Sequence, residues 1–324
     1  MLTVGHERPK AFLRKSQELE KIPNAFLFVG KEGVGKKLLA LEFAKGLLCK
    51  NYEPFGCDNC RSCKQVNHFI EALRKGEEES FYYYVKGEDG KKHFAYLVGE
   101  HPDLALVIPD GNQIKIDQIR EIQEFVSLRP IGNFKVVIID QAGKMNLQAQ
   151  NALLKVLEEP PPGTVFVLVA RSRGELLPTI ISRCQVLEFK PLHPDEVEKV
   201  LKQLKLEISP SIKNLLLQEG SLEFLNLEGE EVLNLLERLL NFEKLTFEET
   251  VSLAEESEKL ETVEKEILLE LFEKFLTRKV IDGELPLEVF EKVKPLLDET
   301  KNGLKRGIKF KLALENLIFT LKGI

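Results

Sequence analysis

Residues 30–37 read Gly-Lys-Glu-Gly-Val-Gly-Lys-Lys, directly after the apolar run Ala25-Phe26-Leu27-Phe28-Val29. A buried strand feeding a glycine-rich turn and then a helix is the frame of a phosphate-binding loop, G-x-x-x-x-G-K-[ST]. The match runs through Gly30, Gly33, Gly35 and Lys36 and breaks at Lys37. Glycines let the backbone curl so that successive N–H groups face phosphate oxygens, and the lysine reaches the terminal phosphates. The hydroxyl expected at position 37 holds Mg²⁺, and an ammonium cannot ligate a cation. The frame of a nucleotide hydrolase is present, with one working part replaced.

A second element of such a site follows. The apolar run Val136–Ile139 ends at Asp140. A carboxylate at a strand tip beside a phosphate loop reaches Mg²⁺, usually through water. The plainer alternative makes Asp140 a cap for the next segment. The residue after it should be a glutamate that polarises the attacking water; Gln141 stands there and cannot take up a proton as a general base. Gly30, Gly33, Gly35, Lys36 and Asp140 therefore outline a degenerate nucleotide site. Lys37 and Gln141 remove metal binding and water activation separately, which speaks against an active ATPase. ATP binding through the backbone cradle stays open, at low expected affinity.

Of five cysteines, four fall in Cys49-x7-Cys57-x2-Cys60-x2-Cys63. Four thiolates at short spacings close a tetrahedral zinc shell, and with no open position such a zinc is structural. Pro54, Gly56, Asp58 and Asn59 supply the turns. Free thiols, a redox pair and an iron–sulfur cluster are the alternatives. His101 is read as a turn residue.

Along the chain, strands at Ala25–Val29, Leu104–Ile108, Val136–Ile139, Val165–Val169 and Val186–Phe189 alternate with helices at about 8–21, 36–48, 118–127 and 146–157. Asp117 is the expected N-cap of the third helix, and Pro160–Pro162 stop the fourth. That alternation predicts a parallel sheet covered on both faces. Between 64 and 100 a helical stretch precedes Tyr82–Val85 and Phe94–Val98, which flank Gly87-Glu88-Asp89-Gly90 as a hairpin. Its aromatic residues form a cross-strand ladder or, alternatively, stack on single-stranded bases. After Pro191 only helical periodicity appears.

A net charge of −6 argues against strong nucleic-acid binding by the chain alone. No run approaches a membrane span, and the N-terminal residues lack the apolar core of a signal peptide, so a cytoplasmic location is expected. Arg183, in Ser182-Arg183-Cys184, sits where a loop arginine could project into a neighbouring subunit's ATP site; an ordinary surface arginine is the competing reading.

Taken together, these residues resemble the delta-prime family of bacterial DNA polymerase III clamp loader subunits, within the AAA+ class. Besides the cysteine cluster after the phosphate-loop helix, the matching motifs are His101-Pro102-Asp103-Leu104 and Ile114-x-Ile116-Asp117-Gln118-Ile119-Arg120. Asn151-Ala152-Leu153-Leu154-Lys155-Val156-Leu157-Glu158-Glu159-Pro160 and Ser182-Arg183-Cys184 complete them. The resemblance covers residues 1 to about 225.

It implies an α/β P-loop (AAA+) domain at 1–190 with a zinc module at 49–63, a small helical lid at 191–229 and an all-α collar at 230–324. It also implies a non-catalytic subunit of the DNA polymerase III holoenzyme, in a hetero-pentameric ring with gamma/tau and delta subunits. That ring opens the sliding clamp and places it on primed DNA. Arg183 would act as a finger in trans on a gamma/tau site. Glu223, in Gly220-Ser221-Leu222-Glu223, stands where active relatives carry a nucleotide-sensing arginine. Residues 64–100 depart from the family as an insertion. An active gamma/tau-type ATPase is the rival, and a stand-alone zinc-containing DNA-binding protein a third reading.

Overall fold

The strands read as unbroken apolar runs because both of their faces are covered. The structure, a computed structural model, describes all residues except 1, 2, 87–91, 206, 207, 224–229, 305 and 324. It divides into two compact units, Met1–Leu192 and His193–Ile324. The first unit runs α1 (Glu7–Glu18), β1 (Ala25–Val29), α2 (Lys36–Leu48), α3 (Arg61–Lys75), β2 (Tyr82–Lys86), β3 (Lys92–Val98) and β4 (Leu104–Val107). It continues through α4 (Ile116–Ser127), β5 (Lys135–Ile139), α5 (Leu147–Glu158), β6 (Thr164–Ala170), α6 (Pro178–Ile181) and β7 (Gln185–Glu188).

One sheet has the order β2-β3-β4-β5-β6-β1-β7. From β4 to β7 every pairing is parallel. Successive side chains on a strand point to opposite faces. Phe26, Phe28, Leu106, Ile138 and Val167 therefore enter a core shared with α1, α2 and α3. Leu27, Val107, Ile139, Phe166 and Leu168 enter a second core shared with α4, α5 and α6. Each fully buried phenylalanine or leucine is worth about 1.5–3 kcal/mol of burial.

The expectation of a parallel sheet fails at one edge. The strands of the segment at 64–100, expected as a hairpin within an insertion, extend the sheet. β3 pairs antiparallel with β4 (Leu97 with Leu106, Val98 with Ala105), and β2 pairs antiparallel with β3. The aromatic residues form the cross-strand ladder: Tyr82 meets Phe94 with ring centroids 5.1 Å apart, and Tyr83 meets Tyr96 at 5.1 Å. The turn predicted at Gly87–Gly90 lies outside the described residues.

Asp117 is not the N-cap of α4. Lys115 holds that position, and its backbone N–H is satisfied by Gln118 Oε1 at 3.0 Å, so the helix starts two residues earlier than expected.

The second unit is helical throughout its described residues: α7 (Pro194–Leu204), α8 (Pro210–Glu219), α9 (Glu230–Leu240), α10 (Phe247–Glu258), α11 (Thr262–Ile281), α12 (Leu287–Leu304) and α13 (Phe310–Lys322). The expected lid–collar boundary at 229/230 falls beside residues 224–229, which are outside the described residues.

Candidate functional site

Two centres in the first unit carry the chemistry-bearing residues. The phosphate loop leaves β1 and enters α2, and each of its glycines has a local reason. Gly33 and Gly35 adopt φ of 69° and 95°, in the left-handed region where a side chain is strained. At Gly30 a Cβ would lie 2.3 Å from the Phe189 carbonyl oxygen, so only glycine allows that close approach.

Lys36 is buried, and its ammonium donates to the carbonyls of Gly30 and Lys31, within the loop itself. Burial pushes its pKa down to about 8, against the opposing pull of Glu32 and Asp140. Asp140 lies at the tip of β5, where the sequence placed it, and its side chain is only 9% exposed. Its Oδ2 is 3.1 Å from Lys37 Nζ, and its Oδ1 accepts the backbone N–H of Gln141 at 3.0 Å. The Asp140 charge holds the Lys37 ammonium above the usual lysine range. Asp140 is thus neither a simple cap nor a free metal ligand.

Both carboxylate oxygens are engaged, and the loop lysine is bonded to its own carbonyls. A magnesium–nucleotide pair does not fit this arrangement: the ammonium beside Asp140 stands where a hydrated cation would have to stand. Gln141 continues from the strand in a left-handed conformation, φ 50°, and presents an amide where hydrolysis requires a carboxylate.

The second centre gathers the four cysteines. Cys49, Cys57, Cys60 and Cys63 bring their sulfurs within 4.8 Å of one another. The Cys57–Cys63 and Cys49–Cys60 separations are 4.0 Å each. A tetrahedron of sulfurs around zinc at about 2.3 Å has edges of about 3.8 Å, so the donor set fits that ion. Backbone N–H groups of Cys60 and Cys63 donate to Cys57 Sγ and Cys60 Sγ at 3.4 Å, the pattern that settles thiolate charge in tight turns. Burial pushes the Cys60 thiol up, but the amides of Cys63 and Lys50 and the adjoining thiols outweigh it and bring it to about 6. Gly56 is required: a Cβ there would meet Cys63 Sγ at 2.9 Å. Asp58 anchors the turn through Lys45 Nζ at 2.5 Å and Asn67 Nδ2 at 3.0 Å.

His101 stays outside the sulfur cluster, as its reading as a turn residue requires. It is buried, with Nε2 3.1 Å from Ser62 Oγ and Nδ1 accepting the Asp103 N–H at 3.2 Å. Asp103 in turn accepts from the backbones of Ile131 and Gly132 at 2.9 and 3.2 Å. The His101-Pro102-Asp103 motif therefore ties loops together. Gln118, in the other motif, donates to the carbonyls of Ala95 and Ile108, which fastens α4 to the extended sheet edge.

Arg183 follows α6 with its side chain 34% exposed. One of its nitrogens lies 2.7 Å from Glu158 Oε1, and another donates to the Thr179 carbonyl at 2.8 Å. In the second unit, Glu223 is buried and paired with Lys274 of α11 at 3.1 Å. Neither ion pair has a local signal, because the partners are remote in sequence.

The profile of the family described as DNA polymerase III, delta subunit, matches residues 5–72 and 91–193. The chain belongs to that family. The family match is interrupted over 73–90, a narrower departure than the 64–100 expected, and that stretch holds the end of α3 and all of β2. The DNA polymerase III subunit delta' of Bacillus subtilis is 36% identical over 210 residues, covering 64% of this chain and 54% of that protein. The tau subunit of Escherichia coli is 30% identical over 230 residues, covering 68% of this chain and 30% of that one. The chain thus spans about half or less of the length of these relatives. A DNA polymerase III gamma subunit-related protein of Thermotoga maritima aligns over 98% of both chains at 23% identity, with a TM-score of 0.49. Among the described residues no helix is long and apolar enough to cross a membrane.

Proposed function

We propose that this delta-family chain is a non-catalytic, delta-prime-type subunit of the bacterial DNA polymerase III clamp loader. The observation that carries the reading is the Lys37–Asp140 ion pair, 3.1 Å long, which occupies the metal side of the phosphate loop. A chain so built keeps the shape of an ATPase module and lacks the metal-binding hydroxyl and the base that hydrolysis needs.

In this reading the chain joins gamma/tau-type and delta-type subunits in a five-membered ring that opens the sliding clamp and loads it onto primed DNA, in the cytoplasm. Residues 191–229 act as a lid and 230–324 as a collar that holds the ring together. Arg183 leaves Glu158 and stabilises transition-state charge at a neighbour's ATP site. Cys49, Cys57, Cys60 and Cys63 hold a structural zinc that stiffens the turn after α2.

A gamma/tau-type ATPase is the second reading, favoured by the likeness to a tau subunit. Lys37, Gln141 and Glu223 oppose it. Native mass spectrometry of the chain mixed with gamma/tau-type and delta-type subunits separates assembly from isolation. A hetero-oligomer containing this chain is expected, and a chain that stays alone under conditions where the others associate contradicts the proposal.

A further inference from the structure

The phosphate-loop motif breaks at one residue, and that residue's charge goes to the one carboxylate a metal would need. Lys37 lies on the first turn of α2, directly after the glycine turn, and its Nζ reaches Asp140 Oδ2 at 3.1 Å. The other Asp140 oxygen is held by the Gln141 backbone. Lys36, which in a working loop meets phosphate, turns back onto the Gly30 and Lys31 carbonyls. Glu32, within the loop, is paired with Arg171 beyond the end of β6. Every charged group named here at the site already has a partner within the chain.

We infer that Lys37 is a built-in counter-ion that substitutes for magnesium against Asp140 and keeps a metal from this side of the phosphate loop. The physics has three parts. A buried carboxylate needs a cation beside it, and Lys37 supplies one without any ligand from solution. That cation is tethered to the helix that carries the loop, so it competes with free Mg²⁺ at a high effective concentration. A metal could enter only by displacing the ammonium, which would then sit as a like charge beside a dication.

Binding of a fluorescent N-methylanthraniloyl ATP, with magnesium in excess and with EDTA, tests the inference without relying on turnover. For the unaltered chain, magnesium should leave the binding curve unchanged. Lys37→Thr supplies the missing hydroxyl and frees Asp140; its affinity should rise about tenfold or more with magnesium over EDTA, in line with the effect of completing a metal site. The double variant Lys37→Thr with Asp140→Asn should lose that gain. Magnesium tightening binding to the unaltered chain overturns the inference and needs no variant that must fold. A Lys37→Thr chain with unaltered circular dichroism and no magnesium-dependent gain overturns it as well.

Discussion

Lys37 Nζ stands 3.1 Å from Asp140 Oδ2 and joins the first turn of α2 to the tip of β5. The strand between them, β6, separates β1 from β5 in the sheet, so this pair also bridges the two strand ends that frame the loop. The same two positions would hold a metal in a hydrolysing relative. In this chain they hold each other.

Lys36 makes the loop's stability depend on pH. Its pKa is about 8 when folded and 10.5 as a free side chain. Between those values the unfolded chain carries more protons than the folded one, so stability rises with pH across this window. Below pH 8 the burial cost is present in full. Lys36→Met should remove a rise on the order of 1–3 kcal/mol between the two pH values. Urea unfolding of both chains at several pH values measures it, and identical slopes would rule out a buried, depressed Lys36.

The sulfur cluster predicts about one zinc per chain. Cys63 is fully buried, and its loss leaves three donors and an uncovered cation. Cys63→Ser should release the metal and destabilise the first unit by several kcal/mol, since metal binding free energy is folding free energy. Elemental analysis of unchelated protein together with thermal unfolding checks both halves. Metal-free protein that unfolds at the same temperature with and without chelator would remove the zinc assignment.

Glu223 and Lys274 form a nearly buried pair, with side chains 4% and 20% exposed. Burial draws the Lys274 pKa down, yet Glu223 and Glu270 more than offset it, and the net shift is upward. Through Lys274 the pair therefore stabilises at neutral pH and weakens as pH climbs past the ordinary lysine value. Glu223→Gln should cost about 1–3 kcal/mol at neutral pH, by leaving Lys274 with Glu270 alone. Denaturant midpoints compare the two chains; no change would mean that the pair contributes nothing to the second unit.

Arg183 and Glu158 are both partly exposed, so their ion pair is worth at most about 1 kcal/mol. Arg183→Ala should leave folding nearly unchanged. In a reconstituted assembly with gamma/tau-type subunits, it should slow the ATP site it faces by on the order of a thousandfold, seen as a partial loss of total turnover. Equal turnover with the variant and the unaltered chain would leave Arg183 as a surface residue.

The elements that were legible in the sequence are those set by local rules. β1 and α2 run over Ala25–Val29 and Lys36–Leu48 as predicted, because an apolar run, a glycine turn and a helical period are each short-range signals. The four cysteines were legible as a cluster for the same reason. Asp117 misled because an aspartate before a helix is usually its cap, whereas here the helix already begins at Ile116 and Gln118 Oε1 reaches back to accept the backbone N–H of Lys115.

What the sequence hid are the relationships that only the folded chain creates. Nothing local says that the hairpin after α3 will add to the edge of β4, since edge pairing depends on which strand end is open. Nothing local pairs Lys37 with Asp140, Arg183 with Glu158 or Glu223 with Lys274. The loss of the hydroxyl at position 37 was visible; that its replacement fills the vacated charge was not.

The most direct measurement is ATP turnover by the purified chain alone, with magnesium, set against Lys36→Ala prepared in parallel. The account predicts no turnover above background for either protein. Sustained magnesium-dependent hydrolysis by the unaltered chain, lost in Lys36→Ala, would contradict it.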